Sequence, residues 1–89
     1  MIRQEVTIIN KLGLHARAAA KLVTCASRFQ SSVHLNRGGH RVNGKSIMGV
    51  MMLAASQGTL LTLELEGPDE LEACQALVQL IGERFGEDA

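Results

Sequence analysis

Thr59-Leu60-Leu61-Thr62-Leu63-Glu64-Leu65-Glu66 decides the architecture of this 89-residue chain. Leu61, Leu63 and Leu65 alternate with Thr62, Glu64 and Glu66, which predicts a strand with one apolar and one polar face. A sheet of such strands is covered on one side and open to water on the other, as antiparallel sheets commonly are. Upstream, the Asn43-Gly44-Lys45 turn and Ser46 as N-cap open a short apolar helix predicted from Ile47 to about Ala55, and Gly58 ends that unit. Downstream, Asp69 with Glu72 three residues later forms a capping-box-like start to a final helix. That helix is expected to run to about Phe85, with Leu71, Cys74, Leu77, Val78, Ile81 and Phe85 on its apolar face and Gly86 as its stop.

The first half of the chain completes the pattern. Glu5-Val6-Thr7-Ile8-Ile9 reads as a strand with Val6 and Ile8 on one face, and Asn10 to Leu14 form a loop. From Ala16 to about Ser27 alanine density favours helix, with Ala19, Leu22, Val23 and Ala26 at helical spacing. Ser31 to Asn36 alternates with Val33 and Leu35 inward, Arg37-Gly38-Gly39 turns, and His40-Arg41-Val42 returns as the second strand of a hairpin. The order is βαββαβα, an α+β fold with helices covering one face of a mainly antiparallel sheet.

Length confines the chain, residues 1–89, to one domain. Hydrophobic residues at 46% and charged residues at 20% describe a soluble globular protein rather than a disordered one. A formal net charge of zero gives no attraction to nucleic acid, and two Phe with no Trp or Tyr leave almost nothing for bases to stack on. Cys25 and Cys74 fall in helical patterns among apolar neighbours and are expected to be reduced and buried. Met1 to Val6 lack the apolar run of a signal peptide, and no stretch reaches the roughly 18 apolar residues of a membrane span, so a cytoplasmic location is expected, and nothing in the sequence asks for more than a monomer.

The chemistry concentrates in Gly13-Leu14-His15-Ala16-Arg17. His15 stands where a loop gives way to a helix, and the first helical turn leaves backbone N–H groups unpaired at the positive end of the macrodipole. The dipole disfavours a cation there by ~0.3–1 kcal/mol, which favours a neutral, nucleophilic imidazole, and it favours a phosphoryl anion once attached. The amides of Ala16 and Arg17 are the expected backbone donors, and the Arg17 guanidinium is a fork suited to phosphate oxygens.

No complete catalytic apparatus surrounds His15 in sequence. The only aspartates are Asp69 and Asp88, and no triad spacing is present. His34, His40 and the cysteines show no metal-ligand spacing, so neither a metal nor a cofactor is expected, and His34 and His40 read as solvent-face hairpin residues. Gly39-His40-Arg41-Val42-Asn43-Gly44-Lys45-Ser46 matches the G-x-x-x-x-G-K-[ST] pattern of a nucleotide-binding loop. A true P-loop belongs to a parallel sheet, however, and His40-Arg41-Val42 is already needed as a hairpin strand. In the helix after Ser46, Val50, Leu53 and Ala54 are expected to face inward. Ile47, Met48 and Met51 then form an exposed, adaptable patch for partner proteins, and a phosphate on Ser46 would set about −2 charge beside it. Such a patch also suits a purely regulatory binding module with no phosphate flux.

Gly13-Leu14-His15-Ala16-Arg17 and Gly44-Lys45-Ser46-Ile47-Met48-Gly49-Val50-Met51-Met52-Leu53 together resemble the HPr family, the histidine-containing phosphocarriers of the bacterial phosphotransferase system. The likeness covers essentially the whole chain. It implies an open-faced βαββαβα sandwich, a four-stranded antiparallel sheet with three helices on one face. It also implies that His15 accepts a phosphoryl group on Nδ1 from phosphorylated enzyme I and passes it to an enzyme IIA-type acceptor, with Arg17 contacting the phosphate. Ser46 matches the serine modified by HPr kinase/phosphorylase, and Ile47, Met48 and Met51 match the contact patch. Many family members carry proline where this chain has Ala18, a departure that loosens the first turn. The nitrogen-related branch commonly tolerates alanine there, so the sugar and nitrogen branches both stay open.

Overall fold

A computed structural model describes all 89 residues, Met1 to Ala89. Its elements are β1 (Ile2–Thr7), α1 (Ala16–Ser27), β2 (Ser32–Arg37), β3 (His40–Asn43), α2 (Ile47–Met52), β4 (Leu60–Glu66) and α3 (Glu70–Gly82), followed by a 3-10 turn at Arg84–Gly86. The four strands form one sheet in the order β1-β4-β2-β3, with every pairing antiparallel. Three helices complete the expected α+β sandwich.

β4 is the organising strand. Leu61, Leu63 and Leu65 are fully buried, and they lie opposite Val6, Gln4 and Ile2 of β1 on one side. On the other side Leu63 and Leu65 meet Leu35 and Val33 of β2. The helices lay Ala18, Ala19, Leu22, Val50, Leu77 and their neighbours on this inner face to make a single core. The outer face is polar, with one exception to its openness. Glu64 is only 8% exposed because Arg41 of β3 closes over it, Nε to Oε1 at 2.7 Å. That contact, with help from Arg3, holds the Glu64 carboxyl below its usual range.

Several expected boundaries shift, each for a local reason. β1 starts at Ile2 rather than Glu5, because residues 2–7 pair in register with 65–60. Ile8 lies beyond the strand yet is fully buried, while Val6 and Val23 are only half-buried. α2 ends at Met52 rather than near Ala55. Arg37 of β2 donates from Nη1 to the carbonyls of Leu53 at 2.6 Å and Ala54 at 3.1 Å, satisfying groups the helix end leaves free. Ala54 then takes a left-handed φ of 51° and points outward, contrary to the inward position expected from the sequence, while Val50 and Leu53 are buried.

The entrance to α3 also departs from the sequence reading. Asp69 does not cap the helix through its side chain. Its carboxylate accepts from the amides of Gln30 and Ser31, both at 2.9 Å, and from Ser31 Oγ at 2.5 Å, tying the end of α1 to the start of α3. These bonds hold the Asp69 carboxyl below its usual range. Gly67 beside it is indispensable, since a Cβ there would stand 2.5 Å from Ser31 Oγ and 2.6 Å from its Cα. At the other end α3 stops at Gly82. Arg84 and Phe85 both adopt left-handed backbone, at φ 56° and 55°, which turns the Phe85 ring into the core. Leu71 and Val78 are exposed, so the apolar face of α3 is narrower than its periodicity suggests and consists of Ala73, Cys74, Leu77 and Ile81.

Candidate functional site

The loop between β1 and α1 is built by Asn10 and Gly13. Asn10 is fully buried, and its Nδ2 donates to Gly13 O at 2.8 Å while Gly13 N returns to Asn10 O at 3.1 Å. Gly13 has a φ of +69° and presses against the segment after α2, where a Cβ would lie 2.5 Å from Ala55 O. Only glycine allows both the turn and this approach. Leu14 N then donates to the same Ala55 O at 2.8 Å, which fixes the residue immediately before His15.

His15 is the N-cap of α1, in extended backbone at φ −71° and ψ 178°. Nδ1 accepts the Arg17 amide at 3.3 Å, so the first-turn donor expected from sequence is aimed at the ring. The other ring nitrogen, Nε2, meets Glu87 Oε2 in a close contact. A carboxylate can only accept, so Nε2 carries the proton and Nδ1 keeps its lone pair toward the helix start. Glu87 is itself aligned by Asn10, whose Nδ2 donates to Oε1 at 3.0 Å. The His15 and Asn10 hydrogen bonds hold the Glu87 carboxyl below its usual range. The backbone closes the same seam, with Lys11 N donating to Ala89 O at 3.1 Å.

A cleft of about 300 Å³ opens at this point, lined by Lys11, Leu12, His15, Arg17, Glu87 and Asp88 among others. The Arg17 side chain is exposed at its rim and forms none of the ion pairs in the molecule. No acidic residue occupies the first turn of α1 itself, and the carboxylate that meets its cap residue is that of Glu87. Ala18 is fully buried in this turn.

The second cluster lies on α2, which packs against α1. Ser46 is its half-buried N-cap, with Oγ accepting from Gly49 N at 3.1 Å. Ile47, Met48 and Met51 are exposed as expected, at 46%, 78% and 43%, and the sequence reading missed Met52, at 67%. Leu12, 68% exposed, lines the cleft together with His15.

The remaining sequence candidates stay apart from this site. His40 is exposed and His34 half-buried, in β3 and β2. Cys25 and Cys74 are free and buried, and burial pushes the Cys74 thiol up. Gly39–Ser46 does not form a phosphate loop, because His40–Asn43 are extended and paired with residues 34–37. Glu87 is the residue that sequence reasoning overlooked. It stands 72 positions from His15, and no spacing rule connects the two.

A histidine capping a helix, with Nδ1 facing the Arg17 amide and the Arg17 side chain at the rim of the cleft, is an arrangement suited to holding an anion on an α+β sandwich. Residues 2–83 match the family described as PTS HPr component phosphorylation site. The phosphocarrier protein HPr of Cupriavidus necator is 60% identical over 87 residues, 98% of each chain. That of Pseudomonas aeruginosa is 60% identical over 84 residues, 93% of each chain. The crystal structure of HPr-C-His from Thermoanaerobacter tengcongensis superposes with a TM-score of 0.96 over the whole of both chains at 48% identity. The chain belongs to the HPr family of phosphocarriers of the phosphotransferase system.

Proposed function

We propose that residues 1–89 act as a single HPr-like domain, a cytoplasmic monomer that carries a phosphoryl group on Nδ1 of His15. The donor is phosphorylated enzyme I and the recipient an enzyme IIA-type protein. The observation that carries this reading is the Arg17 amide pointing at Nδ1 from the start of α1. The Nδ1 lone pair forms the new P–N bond while the donor's bond to phosphorus breaks and its electron pair returns to the donor. Backbone amides of Ala16 and Arg17 then face the phosphoryl oxygens, and the free Arg17 guanidinium swings onto them from the rim of the cleft. The reaction requires neither a metal nor a cofactor from this chain. Ile47, Met48 and Met51, joined by Met52 and Leu12, form the apolar face on which donor and recipient dock.

Ser46 is the proposed regulatory site, the target of an HPr kinase/phosphorylase in hosts that have one. Phosphate there adds about −2 charge at the edge of the docking face and hinders association. His15→Ala is expected to abolish acid-labile labelling by enzyme I and radiolabelled phosphoenolpyruvate while the fold is retained. Full labelling of that variant overturns the assignment. Ser46→Asp is expected to raise the KM for this protein in the enzyme I reaction, and an unchanged KM refutes the regulatory role.

A further inference from the structure

We infer that Glu87 is the positioning residue for His15, its carboxylate, aligned by Asn10, holding the ring proton on Nε2 so that Nδ1 is free to take and return the phosphoryl group. This deepens the phosphocarrier reading and rests on it. The geometry is a relay across three segments: buried Asn10 in the loop after β1, Glu87 after the last turn, and His15 at the head of α1. Neutral imidazole has two tautomers, and only the one with hydrogen on Nε2 leaves Nδ1 nucleophilic. In water both are present. Here an acceptor faces Nε2 and a donor faces Nδ1, so both neighbours select the same tautomer.

The carboxylate has a second task after transfer. Once Nδ1 is bonded to phosphorus while Nε2 keeps its hydrogen, the ring carries a positive charge. Glu87 is the anion in contact with that charge, and no proton has to leave or enter the ring. On the return, the acceptor's nucleophile bonds phosphorus as the P–Nδ1 bond breaks. Its electron pair goes back to a ring that is still protonated at Nε2, and a protonated imidazole leaves more readily than a bare one. One hydrogen held in place therefore serves loading and unloading alike.

The terminal segment is shaped to deliver this carboxylate. Gly86, at φ +78°, follows the left-handed Arg84 and Phe85, so the chain reverses after α3 and runs back toward His15. The Phe85 ring anchors the reversal in the core, and Lys21 Nζ of α1 clamps Phe85 O at 2.6 Å. The charged groups that face or act on the pair are Lys11, Arg17, Lys21 and Asp88.

The test compares the full chain with Glu87→Gln, which keeps shape but loses charge, and with Glu87→Ala. Nitrogen-15 NMR of the His15 ring reads the tautomer, and quenched-flow labelling with enzyme I and phosphoenolpyruvate reads the rate across pH. The wild-type neutral ring is expected to be dominated by the Nε2–H form, and both variants to shift toward a mixture. Both are also expected to load at least about tenfold more slowly, with an altered pH profile and an unchanged urea midpoint for Glu87→Gln. Identical tautomer populations in all three proteins, or unchanged rates, overturn the inference. Labelling of His15→Ala overturns the phosphocarrier reading instead, so the two failures are distinguishable.

Discussion

Gly13→Ala separates two costs that the structure combines at one position. Gly13 and Gly38 both have positive φ, +69° and +56°, but a Cβ at Gly38 meets nothing within 4 Å. Alanine in left-handed backbone costs roughly 1–2 kcal/mol at either site. The entropy lost by the unfolded chain on replacing glycine is the same for both and cancels in the comparison. At Gly13 alone the new Cβ would fall 2.5 Å from Ala55 O and 2.9 Å from Ser56 Cα, both backbone atoms that cannot rotate away. Relief requires the loop to lift, which breaks the 2.8 Å bond from Leu14 N to Ala55 O between two buried residues. Orphaning that pair costs about 1–3 kcal/mol. Urea unfolding of the two variants should therefore differ by about 1–3 kcal/mol, with Gly13→Ala the weaker, and melting should separate by roughly 4–8 °C per kcal/mol. Because the lifted segment carries His15, Gly13→Ala should also lose phosphoryl acceptance at temperatures where it remains folded. Equal stabilities for the two variants would refute the claim that close approach, and not turn conformation alone, demands glycine at the site.

Asp69→Asn tests the link between α1 and α3 through pH. Bonds from Ser31 and Gln30 lower the folded Asp69 carboxyl, so its contribution is complete above the ordinary aspartate value of about 3.9 and disappears as pH falls through the folded value. The variant should be less stable than wild type at neutral pH and converge with it in acid, as read by urea midpoints across that range. Leu77→Ala empties a fully buried core position and should cost ~2–5 kcal/mol, whereas Met48→Ala at an exposed one should stay within about 0.5 kcal/mol yet weaken enzyme I docking. Calorimetric unfolding with a binding titration checks both, and unchanged enzyme I affinity of Met48→Ala would remove Met48 from the docking face.

Elements set by local periodicity were legible. The Leu61-Leu63-Leu65 alternation and the alanine-rich run from Ala16 to Ser27 carry their own pattern, and the sheet and α1 follow from them. His15 as a helix cap was legible for the same reason, since the loop and helix that frame it are contiguous in sequence. What failed depended on distant partners. Asp69 reads as a helix cap until Ser31 comes within reach, and Arg37 shortens α2 from another strand. Phe85 fits the apolar stripe of α3, but it reaches the core by leaving the helix. Glu87 has no local signature at all, because its role comes from a chain reversal that only the assembled core can hold.

The strand order has a consequence for how the chain comes into being. β4 lies between β1 and β2, so Ile2–Thr7 have no neighbour in the sheet until Leu60–Leu65 exist. A nascent polypeptide leaving the ribosome therefore carries its first strand unclaimed until residues 60–65 have been made, and pairings so far apart in sequence form slowly. The complete sheet can close only after β4 has emerged, and a product cut short before it is left as an open substrate for proteolysis.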